Sequence, residues 1–190
     1  MKLYEYKNYD EYKKSQEHGN KSKEKYVWVK EDDLVCLFKH LEKVGANVNK
    51  ALCHGVRNGW EVAYIRDNLC EDTIGTEISS TATKYDNVIE WDFHNIKEEW
   101  VNSIDLIYSN SFDHSYKPQE CLDQWMKCIS DEGRCIIHWS PFHGDKYVDQ
   151  WDCFGADYNE YVKMINDKYV IEEELELTER DGVMFIVRKK

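Results

Sequence analysis

Between residues 50 and 139 of this 190-residue chain, short apolar runs alternate with helical stretches, and the chain closes on two apolar runs only five residues apart. No other feature narrows the choice of fold as far. Lys50–His54, Asp72–Glu77, Val88–Glu90, Ile104–Ser109 and Arg134–Trp139 read as strands, and Asn58–Leu69, Pro118–Ile129 and Tyr158–Asn166 as helices. Strands that alternate with helices imply a parallel sheet covered on both faces. The closing runs, Tyr169–Leu177 and Val183–Arg188, differ from the rest. Thr178–Gly182, with its Asp181-Gly182 pair, suits a hairpin and is too short for a parallel crossover. The expected fold class is α/β: a doubly wound, mostly parallel seven-stranded sheet in an α/β/α sandwich, ending in an antiparallel hairpin.

Local signals punctuate the helices. In Glu31–Gly45 the apolar face is Leu34, Leu37, Phe38, Leu41 and Val44, with acids before it and Gly45 after it. Asn58 followed by Glu61 resembles a capping box. Pro118 occupies a first-turn position, and Cys121, Leu122, Trp125, Cys128 and Ile129 form one stripe ahead of Gly133. Nearer the N-terminus, Tyr4, Tyr6, Tyr9 and Tyr12 crowd a polar segment predicted to be helical over about 8–18 and to stop at Gly19-Asn20. Residues 1–30 are read as a polar helical lid or arm, and residues 31–190 as one domain.

Composition removes several classes. Hydrophobic residues make up 42% and charged residues 33%, with nine Gly and two Pro, which excludes collagen-like and wholly disordered chains. No apolar run approaches the ~18 residues of a membrane span, and the first residues lack the apolar core of a secretion signal. The expectation is a soluble, cytoplasmic protein without membrane association. Thirty-seven acids against 25 bases leave a net charge of −12, which repels polyanions and argues against nucleic acid as a partner. The balance is uneven: residues 1–30 carry eight Lys against five acids, residues 145–181 twelve acids against four bases. Seven cysteines with no C-x-x-C pair, mostly in apolar runs, read as reduced, buried thiols.

In a doubly wound sheet, ligands bind beyond the carboxyl ends of the strands. The first strand runs into His54-Gly55-Val56-Arg57-Asn58-Gly59 and a helix, a turn that lets backbone approach an anion beside Arg57 or is simply tight. Glu77 ends the second strand, placed to accept from ribose hydroxyls or to sit in solvent. Asp92-Phe93 follows the third, suited to an adenine amine and ring or to capping a turn. Ser109-Asn110-Ser111-Phe112-Asp113-His114-Ser115 follows the fourth, where a ligand's reacting end commonly lies. His114 there is a general-base candidate or a turn histidine.

In that order, the Gly55/Gly59 turn, Glu77, Asp92-Phe93, the Ser109–His114 loop and the terminal hairpin resemble a class I S-adenosylmethionine-dependent methyltransferase, over about residues 34–190. The resemblance implies a Rossmann-like fold, a methyltransferase-like domain over 31–190, S-adenosylmethionine as cofactor, and methyl transfer to a small-molecule or limited polar acceptor. It implies that His54, Gly55, Asn58 and Gly59 border the methionine moiety and that Glu77 holds the ribose. Ile78, Asp92 and Phe93 would contact the adenine, and Ser109 and Asn110 the amino-acid end and the sulfur. Two positions depart from the family. Cys53 stands where an acid is usual, and Arg57 replaces a central glycine, which makes a salt bridge from Arg57 to the cofactor carboxylate a substitute.

Any proton on the acceptor would be taken by a histidine, with His114, His138 and His143 as candidates. The Trp139–Ala156 connection is long and aromatic, as an acceptor loop would be. His138, His143 and Asp145 could be read as metal ligands, but no metal is expected. The competing functions are a non-catalytic S-adenosylmethionine-binding module and an NAD-dependent oxidoreductase. The incomplete G-x-G-x-x-G spacing and the closing hairpin count against the second. No [DN]-P-P-[YFW] run follows the fourth strand, which further disfavours nucleic acid.

Overall fold

The computed structural model describes residues 1–190. Its strands are β1 (Lys2–Leu3), β2 (Ala51–His54), β3 (Thr73–Glu77), β4 (Val88–Glu90), β5 (Ile104–Ser109), β6 (Ile129–Trp139), β7 (Phe154–Gly155), β8 (Val170–Glu176) and β9 (Val183–Arg188). Its helices are α1 (Tyr9–Ser22), α2 (Glu31–Lys43), α3 (Trp60–Asn68), α4 (Pro118–Cys128) and α5 (Tyr158–Lys168). Seven strands form one sheet in the order β4-β3-β2-β5-β6-β9-β8. The first five are parallel, and β9 runs antiparallel to both β6 and β8. A further pair, β1 with β7, ties the N-terminus to the loop after β6.

The side-chain alternation of each strand divides the core into two layers. Leu52, Ile104, Ile107 and Ile137 face α4 and α5, packing with Trp125, Phe112 and Tyr161. Ala51, Cys53, Leu106, Tyr108 and Ile136 face the opposite layer with Leu34, Leu37, Leu41, Val62 and Ile65 of α2 and α3. All seven cysteines are free thiols and six are buried. No helix is long and apolar enough to cross a membrane.

Three local expectations are corrected. α1 does not stop at Gly19-Asn20 but continues to Ser22. Gly19 is there for closeness: a Cβ at this position would lie 3.1 Å from Trp151 Cδ1. Asn20 faces inward, its Oδ1 accepting from Thr81 Oγ1 at 2.8 Å. In α3 the N-cap is Gly59, with φ +69°, and no capping box forms; Glu61 is buried instead. Finally, α4 passes into β6 without a loop, because β6 begins at Ile129, three residues of slack being absorbed in an irregular pairing with β5.

Residues 1–30 are packed against the domain rather than standing off as an arm. Tyr12 is 2% exposed, and its hydroxyl donates to His114 O at 3.2 Å. Gln16 Nε2 and Ser15 Oγ donate to the carbonyls of Trp151 and Gln150 at 2.9 and 2.6 Å. α1 and the 139–156 connection therefore form one roof over the carboxyl ends of the strands.

Candidate active site

Chain order reverses between β2 and β5, and two adjoining cavities open beyond their carboxyl ends. They share Lys23, Gly55, Arg57, Ser111 and His114 as walls. The larger measures about 510 Å³ and reaches Asn58, Glu61, Asn110, Asp113, His143 and Asp152. The smaller, about 50 Å³, lies under α1 between Glu77, Ile78, Asp92 and Phe93.

The turn after β2 makes this opening. Gly55 has φ +71°, and a Cβ on it would meet Ser111 Cβ at 2.6 Å. Ser111 Oγ donates to Gly55 O at 3.0 Å, so the two strand ends are pinned at contact distance. Arg57 is left-handed as well, with φ +46°, a conformation in which any side chain is strained. Two bonds hold it there. Its N–H donates to Glu77 Oε2 at 2.9 Å, and its guanidinium Nη1 donates to Tyr26 O at 3.2 Å.

Glu77 also accepts from the N–H of Ser79 at 3.0 Å. Burial raises its carboxyl above the usual range while these two backbone donors pull it back. Asp92 receives Tyr9 Oη at 2.8 Å on one oxygen and His94 Nδ1 at 2.7 Å on the other. Burial would raise this carboxyl, but the His94 contact outweighs it and leaves it below its ordinary range. His94 is completed by Ser115, 2.8 Å from Nε2.

Several residues named from the sequence do not reach the cavities. His54 is 1% exposed, with Nδ1 at 2.8 Å from Thr76 Oγ1 and its ring stacked on Trp125. Burial pushes its pKa down to about 3. Ser109 Oγ donates to His54 O at 3.0 Å and accepts from Ser111 N, bracing β2 against β5 instead of facing a ligand. Gly59 borders neither cavity; a Cβ there would lie 2.9 Å from Val88 Cγ2, so it serves the approach of α3 to β4.

His138 is also withdrawn as a catalytic candidate. It is 1% exposed inside the sheet, 2.9 Å from Tyr108 Oη, and burial lowers its pKa to about 3. Its Nε2 is engaged there while His143 turns to Asp113, so the His138–His143–Asp145 ligand reading does not hold. His138→Leu is expected to cost about 1 kcal/mol in urea unfolding, the scale of one buried hydrogen bond, and to leave ligand affinity unchanged. A tenfold loss of affinity would return His138 to the site.

His114 and His143 do line the larger cavity, together with Asn110. Sequence reasoning missed Glu61, Lys23, Gln16, Asp113 as a cavity group, His94 and Trp151. The spacing of Glu61 from Asn58 reads as part of a helix cap. Glu61 lines the larger cavity while 5% exposed, and burial raises its carboxyl to about 7. The one available signal was its place in the first turn of a helix whose N-terminus faces the strand ends.

No protein-family model matches the chain, and no curated protein matches it by sequence. Solved structures match the fold. The 1,6-didemethyltoxoflavin-N1-methyltransferase of Burkholderia thailandensis, with 1,6-didemethyltoxoflavin and S-adenosylhomocysteine bound, superposes with a TM-score of 0.74 at 10% identity, over 98% of this chain and 92% of that one. A TehB-like S-adenosylmethionine-dependent methyltransferase from Corynebacterium glutamicum gives 0.59 at 13% identity, over 84% and 97%. One from Aquifex aeolicus gives 0.59 at 14% identity, over 78% and 87%.

Proposed function

Starting from a chain that has the class I S-adenosylmethionine-dependent methyltransferase fold, we propose that it binds S-adenosylmethionine across the two cavities and transfers the methyl group to a small polar molecule. The carrying observation is the pair of cavities joined at Gly55, Arg57 and Ser111, at the point where strand order reverses. The narrow cavity offers a carboxylate at Glu77 for ribose hydroxyls, with Asp92, Ile78 and Phe93 around an adenine. The wider one offers Arg57 to the methionine carboxylate. Glu61 offers its ammonium the acid that Cys53 does not supply.

The wider cavity falls within the roughly 300–1,000 Å³ usual for small-ligand sites, while the narrow one is far below it. The adenosine end therefore requires the roof to yield, with α1 and Trp151 moving outward. The Tyr9–Asp92 bond and the Gly19–Trp151 contact are where it would part. Backbone amides of 9–22 are expected to exchange faster in the free protein than with S-adenosylhomocysteine bound. Equal exchange in the two states would rule out a moving roof.

Bound S-adenosylmethionine supplies an electrophilic methyl on a sulfonium. The chain's own contribution is alignment and dryness. Alignment of acceptor and methyl group at about 3–3.5 Å can contribute up to ~7–11 kcal/mol. The roof of Tyr12, Gln16 and Trp151 excludes water, which matters because the sulfonium charge is lost in the reaction. An acceptor proton would leave toward His143 on the wall of the larger cavity, whose Nε2 lies 3.8 Å from Asp113 Oδ2. The neighbour that carries 1,6-didemethyltoxoflavin beside S-adenosylhomocysteine supports a small acceptor.

Calorimetric titration tests the reading. S-adenosylhomocysteine should bind and NADH should not, and Glu77→Ala should weaken the first by about 1–3 kcal/mol, roughly ten- to a hundredfold. NADH binding without a response to S-adenosylhomocysteine would replace the reading with an oxidoreductase. Binding without methylated product across broad acceptor pools would leave a non-catalytic module.

A further inference from the structure

Asp113, His114 and Asp152 each turn one ligand atom inward on the wall of the larger cavity, all within 4.8 Å of one another. The hydrogen positions on His114 follow from its neighbours. Nδ1 lies 2.7 Å from the main-chain oxygen of Trp151 and 3.0 Å from Gln16 Oε1. Carbonyl oxygens only accept, so Nδ1 carries the hydrogen. On the other side, Nε2 faces Asp152 Oδ1 at 3.6 Å and Asp113 Oδ1 at 4.0 Å.

Both distances exceed the ~2.7–3.2 Å of a direct N–H···O bond. A protonated Nε2 would have no acceptor within reach, and a neutral one would aim its lone pair at two carboxylates. Ligand atoms around a tetrahedral ion with bonds of ~2.0–2.2 Å stand roughly 3.3–3.6 Å apart. The 3.6 Å between His114 and Asp152 matches this spacing, and the trio, within 4.8 Å, would share an ion after a contraction of roughly 1 Å. A separate observation agrees. Asp113 is 7% exposed, and its Oδ1 is buried with no hydrogen-bond partner. Its Oδ2 has His143 Nε2 at 3.8 Å.

We propose that Asp113, His114 and Asp152 bind one divalent first-row transition-metal ion, with its remaining positions open to the larger cavity. One imidazole with two carboxylates suits zinc, manganese, iron or cobalt, whereas magnesium and calcium take oxygen ligands. Gln16 and the Trp151 carbonyl orient the imidazole from behind, as outer-shell partners of metal-bound histidines do. The site goes beyond methyl transfer and does not depend on it.

Full-length protein stripped with a chelator and titrated with Co²⁺, Zn²⁺ and Mg²⁺ provides the test. One Co²⁺ per chain should bind with the visible spectrum of nitrogen and oxygen ligation, Zn²⁺ should displace it, and Mg²⁺ at the same concentration should not. Asp152→Asn, at a side chain 39% exposed and so tolerant of change, should weaken binding at least ~tenfold, and Asp113→Asn likewise. The proposal fails if folded Asp152→Asn binds as tightly as the native chain, or if no saturable binding occurs. A thiolate charge-transfer band, placing the ion on cysteine, would overturn it too, as would Mg²⁺ binding as tightly as Zn²⁺. S-adenosylhomocysteine titrated into the same metal-free protein reports on the cofactor site alone, so failure of the metal site and failure of the proposed function are separable.

Discussion

Gly55→Ala is expected to destabilise the protein by roughly 2–5 kcal/mol and to weaken S-adenosylhomocysteine binding at least tenfold. Two costs combine. The left-handed backbone at φ +71° costs an L-residue about 1–2 kcal/mol. The new methyl would also sit 2.6 Å from Ser111 Cβ and 2.9 Å from Ser111 Oγ, an overpacking worth about 1–3 kcal/mol. Ser111 cannot swing away freely, because its hydroxyl is bonded to Gly55 O and Asn110 Oδ1. Gly45 isolates the first cost: its φ is +67°, but nothing lies within 4 Å of an added Cβ. Gly45→Ala should therefore lose only ~1–2 kcal/mol in urea unfolding. Equal losses at the two positions would refute the close approach at Gly55. Gly55→Ala combined with Ser111→Gly should recover the packing part.

Glu61→Gln should stabilise the free protein in alkaline solution while impairing its ligand binding. Burial raises the Glu61 carboxyl from the ordinary 4.5 to about 7. In that interval the folded state holds a proton that the unfolded state has released. Native stability therefore falls as pH rises from about 4.5 to about 7 and is level above it. At ~1.36 kcal/mol per pH unit, the glutamine variant should gain at most about 3 kcal/mol at pH ~8, shrinking to nothing below the ordinary carboxylate value. A cationic ammonium beside Glu61 favours the ionised form, so cofactor binding near neutrality should release a proton in the native chain and not in the variant. S-adenosylhomocysteine should bind the variant at least about tenfold more weakly at pH ~8, the effect of one lost charge-assisted bond. A variant no more stable than the native chain at pH ~8 would mean that Glu61 is solvated, and unaltered affinity would remove it from the methionine end.

The strands and the hairpin were legible because their signals are local. The short apolar runs at 104–109 and 183–188 coincide with β5 and β9, and the short Thr178–Gly182 link does join antiparallel strands. Pro118 opens α4 as its position indicated. Gly19 misled because a glycine that ends a helix and one that admits a neighbouring ring look alike along the chain. Trp151, its neighbour, is far away in sequence. Asn58 and Glu61 have the spacing of a capping box, yet left-handed Gly59 is the N-cap, and Asn58 Oδ1 accepts from Trp60 N at 3.3 Å rather than from Glu61 while its Nδ2 donates to Glu24 O at 3.0 Å.

The candidate site divides along the same line. Gly55, Arg57, Asp92 and Asn110 on the turns after the strands, and Glu77 at the very end of β3, line the cavities because backbone topology alone delivers strand ends to one edge. Residues within strands do not follow from sequence in this way. His54 and His138 are as polar as His114, but they lie in a sheet covered on both faces, where either orientation of a strand residue leads into a core. Which polar groups meet across the cavity is set by how α1 and the 139–156 connection fold back. That packing brings Gln16 and Trp151 to His114, and Asp152 to Asp113 and His114. Periodicity and turn chemistry are properties of neighbouring residues, so the chain states them outright. Burial, charge and mutual distance at the site depend on segments about a hundred residues apart, and only their packing decides them.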